Sequence, residues 1–270
     1  AGACHRPRRG AGVTDGRPRL QLTTDDTVGH PALDTAISRI LLERVDRGEL
    51  PATLRLSRPA RIVAFSSRDA RAPGYADAVA ATTAAGFSPV VRLAGGRAAV
   101  FTESTIAFAL SVPTEQPRTG IAARFEALSA CLVEAFASLG ASARVGEVAG
   151  EYCPGAYSVN LGGRRKVAGV GQRLLRRAAH TGGVVVVDDA PLLNRVLVPV
   201  YDAMDVPFDP DATGALSDEV DVGFEQVRTA IAEAFARRFD VTPWRLDERT
   251  RRLAETAAAE HLVELRPVAS

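Results

Sequence analysis

Residues 151–189 read EYCPGAYSVNLGGRRKVAGVGQRLLRRAAHTGGVVVVDD, and this stretch decides the fold. Residues 157–161 and 166–175 have strand-like patterns and flank Gly162-Gly163, a dipeptide that signals a hairpin turn. Residues 183–189 carry four consecutive valines and end in Asp188-Asp189. That run predicts a buried central strand, and aspartates at its end suit the cap of a following helix better than a metal. Hairpin-linked strands with helices packed against them indicate an α+β fold, not a doubly wound parallel sheet.

The same stretch holds the chemistry. Lys166 is the only lysine of the chain, against 33 lysines and arginines together. A compact ammonium on a flexible stem, with three rotatable donors and a movable pKa, does what arginine's planar fork cannot. Lys166 opens a segment, KVAGVGQ, whose glycines Gly169 and Gly171 leave one face bare for a flat or extended ligand. A lysine that merely blunts an edge strand is the plainer alternative. Cys153 lies in a Tyr-Cys-Pro-Gly loop shortly before Arg164, Arg165 and Lys166. A loop cysteine near cationic groups ionises and acts as a nucleophile; otherwise it is an ordinary half-buried thiol.

Working outward, residues 31–47 follow helical spacing through Leu33, Ile37, Ile40, Leu41 and Val45. Residues 53–57 and 61–65 read as strands, 75–85 as a helix closed by Gly86, and 88–93, 97–101 and 105–112 as strands. A long helix begins at Ile121 and ends at Gly140, with Cys131 as a small buried hydrophobe on it. Residues 142–148 suit a short strand, and 190–204, 224–239 and 246–262 suit helices. Between strands, Arg92-Leu93-Ala94-Gly95-Gly96-Arg97 allows the backbone to approach a phosphate or carboxylate, although paired glycines more often make a plain hairpin turn. His180 is either a base or a loop histidine, and with no visible partner the loop reading is favoured; His30 and His261 read as structural or exposed.

Composition bounds the rest. A chain of 270 residues buries a substantial core, and 46% hydrophobic with 24% charged is ordinary for a globular protein. A net charge of +1 gives no field for nucleic acid or membrane. No apolar run is long enough to span a bilayer and no signal peptide opens the chain, so cytoplasm is the default location. Three cysteines, Cys4 among them, make no disulfide framework, and no metal-ligand spacing exists. Residues 1–20 are Arg/Gly/Pro-rich without periodicity and read as a disordered basic tail.

Together the order of helix, LRLSRPARIVAFSSRD, VVRLAGGRAAVF, YSVNLGGRRKVAGVGQR and HTGGVVVV resembles the lipoate–protein ligase and octanoyltransferase family, from about Ala32 to Asp205. Its Lys-Ile/Val-x-Gly-x-Ala-Gln motif is matched by Lys166, Val167, Gly169 and Gln172, with Gly171 in the alanine slot. Its Arg-Arg-x-Ser/Thr-Gly-Gly-Gly motif is matched in part by Arg92, Gly95 and Gly96, with Val91, Ala94 and Arg97 as departures. The resemblance implies a biotin/lipoate-ligase-like catalytic domain of mixed, mostly antiparallel sheets packed by helices, over residues 21–217. Residues 218–270 would be a helical extension packed on it. It implies transfer of a lipoyl or octanoyl group to a lysine of a lipoyl-domain protein. Catalytic residues would be Lys166 and Cys153; acyl- or nucleotide-binding residues would be Arg92, Gly95, Gly96, Arg97, Gly169 and Gln172. A ligase would use ATP with Mg and a free fatty or lipoic acid. A transferase would use no cofactor, passing acyl from an acyl carrier protein through a Cys153 thioester. The altered glycine loop also allows a non-catalytic member that binds an acyl ligand or partner.

Overall fold

The computed structural model describes residues 16–26 and 30–264. In chain order the elements are β1 (Arg19–Thr23), α1 (Leu33–Asp46), β2 (Ala52–Ser57), β3 (Ile62–Phe65), α2 (Tyr75–Ala84), β4 (Ser88–Val91), β5 (Ala99–Phe101) and β6 (Thr105–Pro113). There follow α3 (Ile121–Ser138), β7 (Ala143–Val145), β8 (Val159–Leu161), β9 (Arg165–Leu174), β10 (Ala178–Val186), α4 (Ala190–Ala203), α5 (Phe224–Ala236), β11 (Asp240–Pro243) and α6 (Glu248–Ala258). Eight strands form one sheet in the order β11-β1-β2-β6-β10-β9-β8-β7, and three form a second, β4-β3-β5. In the large sheet the β11–β1 and β1–β2 pairs are parallel and the others antiparallel. The predicted mixed, mostly antiparallel α+β architecture is therefore present. None of the described helices is long and apolar enough to cross a membrane.

The two faces of the large sheet differ, because side chains alternate along each strand. Leu54, Leu56, Ile106, Phe108 and Val185 face one way and join Leu132, Phe136, Ile231 and Phe235 in the main core. The opposite face carries Arg55, Ala109 and Gly182, which stand side by side in register on β2, β6 and β10. Small residues there leave room above the sheet, and the room becomes the site. A second core under the small sheet joins Val63, Phe65 and Val100 to Leu193, Leu197 and Tyr201 of α4.

Two local readings change. Paired glycines 95 and 96 do not turn a hairpin: β4 and β5 lie on opposite sides of β3, so the loop crosses from one edge to the other. Gly162 and Gly163 do turn one, with φ of +58° and +74°, between β8 and β9. His180 is no loop residue, because β10 starts six residues before the first valine, at Ala178, and carries it at 4% exposure. As for the valine run, Asp189 caps α4 by accepting from the Leu192 N–H.

Segments near both ends of the described residues join the large sheet. Residues 1–15 of the anticipated tail, with Cys4, fall outside the described residues. Arg19 and Leu20, however, belong to β1, between β2 and β11. The alternating Leu20 and Leu22 announce that strand, and the arginines around them obscure it. Between the two C-terminal helices, β11 pairs with β1, while α6 packs Ala254, Ala257 and Ala258 against Ile37 and Leu41 of α1. The C-terminal segment is thus two helices and a strand built into the sheet.

Leu20 is 1% exposed. Leu20→Ala is expected to lower unfolding free energy in urea by roughly 2–5 kcal/mol, the range for a buried leucine; a change below ~0.5 kcal/mol would place β1 outside the cooperative unit.

Candidate active site

Cys153 sits in the loop between β7 and β8 with φ of +43°, a left-handed conformation that costs a non-glycine residue about 1 kcal/mol or more. Both of its peptide groups are held there. Its N–H donates to Tyr201 Oη at 2.8 Å, and that hydroxyl donates to the Ala98 carbonyl at 2.9 Å. Its carbonyl accepts from Lys166 Nζ at 2.8 Å. Lys166 also donates to the Tyr152 carbonyl at 2.9 Å and to Glu151 Oε1 at 3.1 Å. An ammonium has three N–H groups, and all three are committed.

Glu151 is 2% exposed and fully engaged. Its Oε1 accepts from Ser158 Oγ at 2.6 Å and the Gly155 N–H at 3.0 Å besides Lys166, and its Oε2 accepts from the Val148 N–H at 3.0 Å. One carboxylate thus gathers the whole loop around the cysteine. Lys166 reaches it because of a bulge. Val159 pairs with Ala168 and Asn160 with Lys166, so Val167 is an extra residue on β9. Val167 and Ala168 both enter the main core, and Lys166 falls on the other face beside Gly169. A Cβ on Gly169 would stand 3.1 Å from Lys166 Cε, so the glycine makes the lane in which the lysine lies.

The thiol side of Cys153 faces the loop between β4 and β5. Sγ accepts from the Arg97 N–H at 3.1 Å and lies 3.6 Å from Arg92 Nη1. Arg92 Nη1 also donates to the Arg97 carbonyl at 2.6 Å, and no carboxylate among the described residues pairs with it. Arg97 differs: its guanidinium is held by Asp69 at 3.3 Å, so only its backbone reaches the sulfur. Gly96 has φ of +117°, and a Cβ there would stand 2.7 Å from Sγ. Glycine is required on both counts. Burial pushes the Cys153 thiol up, but the Arg92 and Lys166 charges, with the Arg97 N–H, outweigh it and hold the thiol below its ordinary value. Burial pulls Lys166 down, against the opposing pull of Glu151 and Cys153.

Arg92 links this sulfur to a cavity on the small-residue face of the large sheet. Ala107, Ala109 and Gly182 floor it, Ile62, Ala64 and Phe101 of the small sheet cover it, and Arg55 and Asp34 line it with His180. Burial, and then the Arg92 charge, pull His180 down to about 4, so it is neutral near pH 7. It contacts Ser111 Oγ through Nδ1 at 3.5 Å.

Of the residues singled out in the sequence, Cys153, Lys166, Arg92, Gly96 and Arg97 converge, and Gly169 supports Lys166. Gly95 is exposed, and its carbonyl lies over Gly171. Gln172 turns away: it accepts from Arg124 at 3.1 Å and donates to the Ile121 carbonyl at 2.8 Å, pinning the start of α3. Glu151, Tyr201, Asp69, Asp34 and Arg55 were not anticipated. An acid two residues before the loop cysteine was the available signal for Glu151; the others depend on tertiary contacts.

Known proteins resemble the chain in sequence and in fold. The lipoyl protein ligase A/B catalytic domain profile matches residues 30–236. An octanoyl-[GcvH]:protein N-octanoyltransferase of Geobacillus kaustophilus is 32% identical over 151 residues, 56% of this chain and 51% of that protein. The same enzyme of Exiguobacterium sibiricum is 36% identical over 124 residues, 46% and 43% of the two chains. The chain thus spans about half the length of the curated relatives it matches. In fold, it is similar to a lipoate-protein ligase A crystallised with ATP, with a TM-score of 0.73, 18% identity, and coverage of 90% of this chain and 95% of that one.

Alkylation of Cys153 by iodoacetamide, read by peptide mass against pH, should have its midpoint below that of a free thiol, and Arg92→Met should move it up. A wild-type midpoint at or above the free-thiol value would remove the thiolate from the site. Separately, His180 has an ordinary value of 6.5 and a folded value of about 4. The unfolded chain therefore binds the extra proton first on acidification. Stability associated with His180 is complete above about pH 6.5 and falls by roughly 3 kcal/mol as pH drops to 4. His180→Gln should flatten urea stability across that window, and an unchanged slope would contradict the buried neutral imidazole.

Proposed function

The chain belongs to the lipoyl protein ligase A/B catalytic-domain family, and on that premise we propose that it passes an octanoyl or lipoyl group through Cys153 to a lysine of a lipoyl-domain protein. The observation that carries this reading is the convergence of the Arg92 guanidinium and the Arg97 N–H on Cys153 Sγ. That arrangement favours a thiolate and places donors where a tetrahedral oxyanion would form. The donor is an acyl group on a carrier, either an acyl carrier protein thioester or an acylated lipoyl domain. GcvH fills the second part in the names of the relatives.

In the first half-reaction Sγ attacks the donor carbonyl and a C–S bond forms. The carbonyl's bond to the donor breaks, and the departing sulfur or amine takes up a proton. In the second, the acceptor lysine enters as a neutral amine and forms a C–N bond. The C–S bond breaks, Sγ returns as thiolate, and the amine's proton passes to solvent. Arg92 answers the negative charge in both halves. Lys166 acts through the loop: its ammonium fixes the Cys153 carbonyl, so it orients the nucleophile and lends its charge from behind.

An adenylating route with ATP and a free acid would ask for cationic groups free to meet phosphates. Lys166 is saturated, Arg97 is held by Asp69, and Arg92 is engaged with the cysteine. This distribution supports the thioester route, with no nucleotide or magnesium.

An apo lipoyl domain incubated with this protein and an octanoyl donor should gain one octanoyl group by intact mass. The donors compared are octanoyl-GcvH, an octanoyl carrier thioester, and ATP with octanoate. Transfer is expected from an acylated protein donor without ATP and is abolished by Cys153→Ser. Lys166→Arg should reduce it by at least about tenfold, roughly 1.4 kcal/mol of transition-state stabilisation, because a planar fork neither fits beside Gly169 nor satisfies Glu151 and two carbonyls together. Undiminished transfer by Cys153→Ser, or transfer only with ATP and free acid, would overturn the thioester route.

A further inference from the structure

The cavity beyond Arg92 has an unusual far end. Arg55, from β2, is the largest fully buried side chain of the described residues, at 1% exposure, and it lines the cavity. Its Nη2 pairs with Asp34 Oδ1 at 2.5 Å and donates to the Asp25 carbonyl at 3.1 Å. Its Nε–H has no acceptor among the described residues, although it is buried. A buried donor left unpaired costs roughly 1–3 kcal/mol, so such a group calls for an explanation. Two residues back along β2, on the same face, Thr53 Oγ1 is also buried without a partner. Gln21, paired across the strands with Thr53, has a buried Oε1 in the same condition. Three buried polar atoms on neighbouring strands are thus unsatisfied, and of these Arg55 Nε belongs to a residue that lines the cavity, while Ala107, Ala109, Gly182, Ile62 and Phe101 make much of its wall apolar.

The spacing matters. Gly171, which lies under Ala94 and Arg92, is in register with Gly182, then Ala109, then Arg55. Three strand spacings of about 4.8 Å separate the ends of that row, ~14 Å in all. An extended eight-carbon chain is ~9 Å long, taking the rise of about 1.2 Å per bond in an extended backbone. An acyl group held on Cys153 and laid across the strands would bring its last carbons within reach of the Arg55 side chain. A methyl end would leave the Nε–H buried and still unpaired. A neutral acceptor would satisfy it. A second carboxylate would not suit, because Asp34 already neutralises Arg55.

We propose that Arg55 reads the distal end of the acyl group, and that the cavity selects a medium-length acyl chain carrying a neutral hydrogen-bond acceptor, oxygen or sulfur, near its far end. This rests on the reading that the cavity holds the acyl chain of the transfer reaction. It assigns Arg55 as the specificity-determining residue and Asp34 as the group that positions it.

Calorimetric titration of the full chain with octanoate, 8-hydroxyoctanoate, lipoate and octanedioate tests the cavity without requiring chemistry. Intact-mass detection of acyl-Cys153 from the octanoyl and 8-hydroxyoctanoyl thioesters tests it with chemistry. 8-Hydroxyoctanoate, lipoate or both should bind about tenfold or more tighter than octanoate, with octanedioate weakest, as expected for satisfying one buried donor. Preference for the hydroxy acid alone would identify oxygen, and for lipoate alone sulfur. Arg55→Met combined with Asp34→Asn, which removes both charges together, should abolish the preference. Where that variant does not fold, the wild-type ratio decides. Equal or tighter binding of octanoate, no binding by any of the acids, or an unchanged ratio in the folded variant overturns the proposal. If the preference holds but no acyl-Cys153 forms, the transfer reading fails and Arg55 keeps its role. If both acyl-enzymes form at one rate and the acids bind alike, transfer stands and the Arg55 assignment falls.

Discussion

Everything at the site depends on one buried ion pair. Lys166 and Glu151 are 1% and 2% exposed. Two charges taken out of water cost several kcal/mol each unless geometry and further hydrogen bonds repay them, so such a pair is weak evidence of stability as such. Here the further bonds are all present: three donors on the ammonium and four accepted bonds on the carboxylate. What the pair secures is shape. It ties β9 to a loop whose cysteine is in a left-handed conformation that a free chain would rarely adopt. An apolar pair of similar volume would leave the carbonyls of Tyr152 and Cys153 without the donors they have in Lys166.

The second constraint is the division of labour between two arginines five residues apart. Arg97 is anchored by Asp69, itself fully buried and bonded to the Ser66 N–H and Oγ. That anchor fixes the loop and frees the Arg97 N–H to face the sulfur. Arg92 has no acidic partner among the described residues, so its charge is directed at Cys153. Were Asp69 paired with Arg92 instead, the Arg92 share of the field on the thiol would largely cancel, leaving Lys166 and the Arg97 N–H to oppose burial. The field on the sulfur therefore depends in part on which arginine the buried aspartate selects.

Much of this was legible before any coordinates. A lone lysine among arginines, a Cys-Pro-Gly loop shortly before it, and Gly95-Gly96-Arg97 between strands all lead to residues that meet. Sequence spacing misplaced what tertiary structure decides. The bulge at Val167 cannot be read from KVAGVGQ, yet it turns Lys166 away from the core. His180 looks like loop because Gly182 and Gly183 follow it, and the pairing of β10 with β6 makes it strand. Gln172 fits the motif, but β9 turns it towards Arg124. Arg55 lies in an alternating TLRLS segment where an arginine reads as solvent-facing; only the packing of α1 over that face buries it against Asp34.

The altered glycine loop follows from the same contacts. Two of its departures from the resembled motif, Ala94 and Arg97, have partners here. Ala94 places its Cβ where a Cβ on Gly171 would come within 3.1 Å, so the loop lies directly on β9. Arg97 stands where a third glycine would, and it contributes its backbone to sulfur and its side chain to Asp69. Gly96 cannot change, because Sγ occupies the space of any side chain. A loop shaped to wrap a phosphate needs open N–H groups and no bulk beneath it. This loop has a cysteine seated against it, and its alterations are the ones that admit a sulfur and lower its pKa.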